Sequence, residues 1–563
     1  MRNKILKNIS HAIFTVCLFL LNPLISIAHI DELKIGINQD FDTLNPALAG
    51  TSAAKYMLFF AYRPLVFLDS DNLFKPVVVK KIPNFTDKSA KTVVEKGIKK
   101  LVAQWEFVNG FKWGDGTLVT CKDLYFSWQL GLNTHVSIPN RSTYEDIEAI
   151  NWDEKSPTKC TVKYKVAKWN FFLNTPPPLP AHWEESVLKR HGQTKEDYDR
   201  NTWYQKDPTK KGLWNGPYVL SEAKLGSHLI FTPNEHYFGK KPKIKKIIIR
   251  VLSHSGTLEA NLRSKNIDKI ARMGLSLDQA LSFAKKVSSE ELPYEVKFQD
   301  GVTYVHIDIN LSHPILKDLS VRKALSYGLD KKELVDSIFE GKAHIAYHLT
   351  SPIDSLYTES KSKIAIYESD KRKAKKLLDK AGWSIGPDNF RYKNGEKLVL
   401  TLVAAGGVKV NETIQAILQS QWKSIGVDLQ IKLETGRVLF TELLPKRNFD
   451  MALYSWSSFP EESPESTLLS KNIPTKENTW SGQNFSGFNN TKIDKLVAGY
   501  DFEFDYEKRK KAMQDILKIY TDEIPAIPLY FRMENAVIPK GMKGFQLTGH
   551  LFYESLKSED WEL

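Results

Sequence analysis

Cysteine is nearly absent, with three in 563 residues, which excludes a scaffold held together by a disulfide lattice. Cys17 falls in an N-terminal apolar run. Cys121 and Cys160 remain; an oxidising compartment would permit a bond between them, but chain spacing does not fix the Cα separation a disulfide needs. After the first 28 residues no stretch reaches eighteen uninterrupted apolar residues, so no membrane-spanning helix is expected there. Gly-x-Ser-x-Gly, His-Glu-x-x-His, Cys-x-x-Cys and the P-loop are all missing, and with them the commonest signatures of serine hydrolases, zinc peptidases, thiol redox centres and ATP hydrolysis. A Ser-x-x-Lys does occur at Ser186 and Lys189, but its charged neighbours read as an exposed helix. The thirteen histidines are scattered. His344 and His348 stand four apart and run into the turn at Pro352, which argues against a metal pair. No catalytic set, metal or cofactor is therefore expected.

The first 28 residues carry an address. Arg2, Lys4 and Lys7 form a basic start, Ile13 to Leu21 an apolar run, and Ser26-Ile27-Ala28 a small-residue cleavage site. This is the pattern of a secretory signal peptide cleaved after Ala28. Cys17 lacks the small residues that precede a lipoprotein cysteine, so a soluble periplasmic protein is expected. Cleavage would lower the net charge from +13 to +10. The basic clusters "GKKPKIKK" (239–246) and "KRKAKK" (371–376) are diluted by nearby acids and read as solvated faces, not as a nucleic-acid surface.

With 42% hydrophobic and 11% aromatic residues the chain is globular, and it is too long for one core. Strand patterns at 33–37, 104–108, 159–166, 244–252, 301–310 and 449–456 alternate with helical periodicity at 318–341, 370–383, 412–426 and from 507. "GVTYVHIDIN" (301–310) places Val305, Ile307 and Ile309 on one face. This alternation of helix and strand predicts α/β domains.

The densest stretch is "GFKWGDGTLVTCKDLYFSW" (110–128). Asp115-Gly116 signals a turn, Thr120 to Asp123 fits a capping box, and Leu124 and Trp128 share a helix face. Every polar residue has a folding role, and none is left over for chemistry.

That stretch also resembles the signature of family 5 extracellular solute-binding proteins, the oligopeptide and dipeptide receptors of ABC importers. Further similarities follow in order: "TLNP" (43–46), "YRPLV" (62–66, with Arg63 where the family often has Glu), "PLPAH" (178–182), "NGPYVLSEAKLGSHLIFTPNEHYF" (215–238), "VRKALSYGLDKKELV" (321–335) and "IPAIPLYF" (524–531). The resemblance implies a periplasmic-binding-protein-like α/β fold, two lobes around a hinged cleft plus an inserted domain. Lobe I would comprise 29–72, 212–302 and 531–563, domain II 73–211, and lobe III 303–530, with chain crossings near 302 and 531. It implies a single-chain receptor that delivers a peptide or other small solute to inner-membrane permease subunits, with the ATPase on separate chains.

For the site, the resemblance points to a strand edge at Ser455, Trp456 and Ser457, opposed by Thr51 and Ser52 from lobe I. Trp456, Phe485 and Tyr144 are candidate wall residues, with core packing the competing assignment for each. In peptide-binding members an Asp soon after the Trp pairs with the peptide ammonium. Here Ser457, Ser458, Phe459 and Pro460 occupy that place, and Glu461 and Glu462 are the first carboxylates. Either a glutamate takes over, or the ligand has no free amino terminus there, or the glutamates are solvated loop charges. A non-peptide solute (nickel chelate, oligosaccharide) is the alternative ligand, and an exported hydrolase the alternative class.

Overall fold

Aspartates start many of the helices. Asp318, Asp330, Asp370 and Asp505 each occupy an N-cap, and their side chains accept the backbone N–H of Ser320, Glu333, Lys373 and Lys508. Each such cap is worth about 1 kcal/mol. The computed structural model describes residues 31–224, 226–252 and 254–563; the segment 1–28, expected to be a signal peptide, lies outside them.

Strand β1 (Glu32–Ile37) opens the described chain. An antiparallel sheet follows, made of β2 (Ala90–Glu95), β3 (Ile98–Glu106), β4 (Ile147–Trp152) and β5 (Lys159–Tyr164) in the order β2-β3-β5-β4. The strands β6 (Tyr218–Lys224), β7 (His228–Pro233), β8 (Lys246–Val251), β9 (Lys269–Ile270) and β10 (Tyr294–Ile309) come next. After them lie β11 (Val399–Ala405), β12 (Asp428–Glu434), β13 (Met451–Ser457) and β14 (Ala526–Pro539). With β1 they form one mixed sheet, ordered β12-β11-β13-β10-β14-β9-β1-β8-β7-β6, and the short strand His344–Ile345 adds to β14.

Two long strands hold the halves of this sheet together. β10 pairs antiparallel with β14 from Tyr294↔Pro539 to Asp300↔Met533, and again from Tyr304↔Phe531 onward. Between these runs Gly301, Val302 and Thr303 oppose Arg532 alone. Extra residues on one strand bend it and strengthen its local twist. Backbone approach there is close. A Cβ on Gly301 would lie 2.5 Å from the Arg532 carbonyl oxygen, and one on Gly549 would lie 1.8 Å from that of Asp300. The Val302 N–H donates to the Gly549 carbonyl at 3.1 Å.

Three large cores flank the sheets. One packs β1 and the helix Ser52–Ala61 against β6 to β8, with Phe60, Trp214 and Trp561 inside. A second gathers Trp105, Trp113 and Val162 around the helix Cys121–Leu132. The third packs Ile307, Leu325, Leu402 and Trp422 around β10, β11 and β13.

Val305, Ile307 and Ile309 are buried together, as their alternation predicts. The opposite face, however, is buried too: Tyr304, His306 and Asp308 lie beneath Tyr454 and Tyr520. An interior strand covered on both faces hides its polar residues only if they bond one another. Here the Tyr454 hydroxyl donates to Asp308 at 2.5 Å, and His306 stands 3.4 Å from the same carboxylate.

The helix Ser52–Ala61 ends ahead of Pro64, with Tyr62 already extended. Proline disfavours a helical residue before it, and Arg63 is drawn into a buried ion pair with Glu559 at 2.7 Å. In the 110–128 stretch, Asp123 accepts the Thr120 N–H in a capping box and also the Ala181 N–H. Cys121 and Cys160 are bonded, with Cα atoms 5.6 Å apart, fixing that helix to β5. Ser186 and Lys189 lie exposed on the helix Ala181–His191, where Lys189 pairs with Glu185.

Two buried histidines pack beside the register break. His550 follows Gly549, and His348 lies three residues before Ser351, whose hydroxyl donates to the Gly301 carbonyl. Each ring donates from Nε2 to a carbonyl (Thr358 for His348, Asp69 for His550) and accepts on Nδ1 from a backbone N–H (Thr350, Phe552). Only the neutral tautomer satisfies both bonds. Burial pushes both rings down to about 4.

Two outcomes are expected. Replacing Cys121 and Cys160 by serine removes the constraint on a 39-residue separation and lowers unfolding free energy by roughly 3 kcal/mol, read by urea denaturation of oxidised wild type against the variant; equal midpoints would contradict it. Between pH 6.5 and about 4 the folded chain binds fewer protons at these rings than the unfolded chain, so their contribution is lost as pH falls through that window. Melting temperature plotted against pH is expected to fall less steeply in the His348→Asn, His550→Asn variant than in wild type.

Candidate ligand cleft

The register break forms the floor of a cleft of about 490 Å³, within the usual size of small-molecule sites. One wall carries Asn38, Ser52, Arg272 and Asp278, and the other carries Phe339, Val408, Ser455 and Ser457. Thr303 and the β14 residues Tyr530, Arg532 and Glu534 rise between them.

Strand alternation explains these positions. Residues 530, 532 and 534 share one face of β14 and point the same way. On β13 the same rule turns Ser455 and Ser457 toward the cleft and Trp456 away. Thr303 is in register with Ser457, and their hydroxyls stand 2.7 Å apart.

β11 covers only the first part of β13, from Leu402↔Met451 to Ala404↔Leu453. From Tyr454 to Ser457, β13 is paired with β10 on one side, and among the described residues no strand pairs with its other edge. A short stretch of main-chain donors and acceptors therefore stands free at the cleft wall.

The charges of the cleft are unequally engaged. Arg272, buried at 6% exposure, reaches the Glu534 carboxylate at 3.1 Å, donates to the His550 carbonyl at 2.7 Å and lies over the Tyr553 ring. Asp278 accepts the Ser276 hydroxyl at 2.6 Å in the first turn of the helix Leu277–Ser289. Arg532 is exposed, and among the described residues its side chain makes one hydrogen bond, to the Ser455 hydroxyl at 3.4 Å. Burial pushes the Tyr530 phenol up to about 12, so it stays protonated. The Asn38 and Asn535 amide nitrogens donate to the Gly274 and Leu275 carbonyls, and both side-chain oxygens are buried without a partner.

The structure brings Ser52, Ser455 and Ser457 together around the cleft. Thr51 stands beside them as the N-cap of the helix Ser52–Ala61, bonded to Asp42. Trp456 lines a small cavity on the reverse face of β13 with Tyr304 and His306. Phe485 packs on that face too, against Leu439, Ala452 and Tyr454. Tyr144 is buried in a separate cluster with Leu130, Val136 and Tyr198.

Both glutamates are committed elsewhere. Glu461 pairs with Arg509 at 3.2 Å and accepts the Ser355 hydroxyl, and Glu462 accepts the Phe459 N–H. Burial holds the Glu462 carboxyl above its ordinary range. His344 bonds Tyr357 and Glu359, while His348 bonds Thr358. Among the described residues no group of three or more His, Cys, Asp or Glu side chains could hold a metal ion.

Arg532, Arg272 and Glu534 belong to no motif that sequence reasoning singles out. A signal is nonetheless present in "PLYFRMENAV", where Tyr530, Arg532 and Glu534 recur at every second position of a largely apolar strand, with Asn535 departing from the alternation. That pattern marks a face turned to a polar space but does not say which space.

Residues 101–474 match the family model described as bacterial extracellular solute-binding proteins, family 5 middle. The chain is 24% identical over 446 residues to the oligopeptide-binding protein AppA of Bacillus subtilis (strain 168), covering 78% of this chain and 76% of that protein. It is 28% identical over 408 residues to the nickel-binding periplasmic protein of Escherichia coli (strain K12), covering 71% and 73%. Its fold matches the oligopeptide-binding protein of Thermus thermophilus complexed with a pentapeptide at a TM-score of 0.70 and 22% identity, covering 95% and 96% of the two chains. With two thirds of its length inside the family model and its fold shared along nearly the whole chain, this protein belongs to the family 5 bacterial extracellular solute-binding proteins.

Proposed function

We propose that this chain is the exported, periplasmic receptor of an ABC importer, which captures a peptide in the cleft and delivers it to inner-membrane permease subunits whose ATPase is on separate chains. The observation that carries this reading is the free edge of β13 at Ser455–Ser457 on the cleft wall. An extended peptide laid along it completes a strand pair, gaining main-chain hydrogen bonds of about 1 kcal/mol each. Such bonds ask little of the ligand's side chains. The names of relatives such as the oligopeptide-binding protein of Bacillus subtilis support the same substrate class.

In this reading lobe I comprises 29–72, 212–302 and 531–563, domain II 73–211, and lobe III 303–530. Support comes from the separate cores and from the bend in β10 and β14 at 301–303 and 532. A ligand touching both walls makes contacts that an open form lacks, and so shifts the population toward closure.

A non-peptide solute is the second reading, favoured by one observation. The carboxylates that could replace the missing ammonium partner, Glu461 and Glu462, are bonded within the protein. The test is native mass spectrometry of protein from the exported fraction, before and after unfolding and refolding. Released masses spaced as peptides are expected. A single non-peptide mass would move the assignment to the second reading, and a protein that carries nothing and shows no solute-dependent compaction in small-angle scattering would end the receptor assignment.

A further inference from the structure

Charged groups in a cleft reveal the charge of the ligand only where the protein has not already answered them. The cleft holds two arginines. Arg272 is consumed by Glu534 and by the His550 carbonyl. Arg532 is the other, and among the described residues it makes no ion pair; its one partner is the Ser455 hydroxyl.

Its position is set by the backbone. Arg532 is the single β14 residue opposite the three-residue break Gly301–Thr303, and it lines the cleft beside the Thr303, Ser455 and Ser457 hydroxyls. A guanidinium offers a planar fork of donors that matches a carboxylate. Hydroxyls beside it can rotate to donate to the same oxygens. The two cleft acids are less open to a ligand: Glu534 is held by Arg272, and Asp278 by the Ser276 hydroxyl and the start of its helix.

Building on the receptor reading, we propose that Arg532, with the hydroxyls of Thr303, Ser455 and Ser457, is a carboxylate subsite, and that the solute is selected by an anionic end instead of by its ammonium. The carboxylate can come from a peptide C-terminus or from an amino-acid chelate of a metal ion. In the peptide case the C-terminus sits at the free edge of β13, so the chain's last residues form the added strand.

The test uses the full mature chain, refolded to remove carried solute, and isothermal titration. One arm compares tetra-alanine with its C-terminal amide, and the other compares nickel–histidine with nickel–histidinamide. In the arm that binds, the carboxylate form is expected to bind roughly tenfold to a hundredfold more tightly than the amide, the range of a charge-assisted hydrogen bond. Arg532→Gln should bring the two forms to within about threefold, and Arg532→Lys, which keeps charge without the fork, should keep part of the preference. Circular dichroism and melting temperature of Arg532→Gln are expected to match wild type, because the side chain is exposed.

Equal affinity of acid and amide for wild type would overturn the subsite, as would an undiminished preference in Arg532→Gln. If neither probe binds, the solute carried by protein from the exported fraction decides. An anion lost from Arg532→Gln supports the subsite, and a neutral or cationic molecule overturns it while leaving the receptor reading in place. A wild-type protein that carries and binds nothing removes both.

Discussion

The pairing of β10 with β14 is the constraint on which the rest of the molecule depends. These strands are the only elements of the large sheet, among the described residues, that run through both of its halves. Every strand from β12 to β13 reaches the other half through them. A regular ladder of this length would simply twist. The three-against-one break at Gly301–Thr303 and Arg532 bends the pair instead, and the bend opens the cleft. The cost of crowding there is met by glycine: side chains at 301 and 549 would collide with the backbone of Arg532 and Asp300.

Segments distant in the chain are tied together by buried ion pairs, one of them at the bend itself. Arg63 pairs with Glu559, Lys269 with Glu554, and Arg272 with Glu534. A buried pair contributes little net stability over apolar packing, but removing one member leaves a charge stranded. Such pairs therefore fix which segments lie together more than they strengthen the whole. Arg63 illustrates the point: it occupies a position where the family often has an acid, and Glu559 from the C-terminal segment supplies the opposite charge.

Most of the charged and titratable groups buried around the bend are answered by specific partners, while the Asn38 and Asn535 side-chain oxygens are not. His348 and His550 each donate and accept at once, and Asp308 is answered by Tyr454. Against this background Arg532 differs, since its guanidinium meets a single hydroxyl. The contrast between answered charge in the walls and unanswered charge at the floor gives the cleft its polarity.

Local chemistry was legible in the sequence because it is local. The capping box at Thr120 and Asp123 and the burial of Val305, Ile307 and Ile309 depend on neighbours within a turn or a strand repeat. The α/β class and the family signature were legible for the same reason. What needed the tertiary structure were relations across hundreds of residues. The sequence marks Trp456 as a wall candidate, but only the register of β13 against β10 shows that Ser455 and Ser457 face the cleft while Trp456 turns to the cavity behind. It leaves Cys121 and Cys160 open, and the helix and β5 must be packed before their Cα atoms come within 5.6 Å. Glu461 and Glu462 could not be told from free loop charges until folding brought up Arg509 and the Phe459 N–H. A side chain's type is written in the chain; whether its charge is spent depends on what folding places within about 4 Å of it.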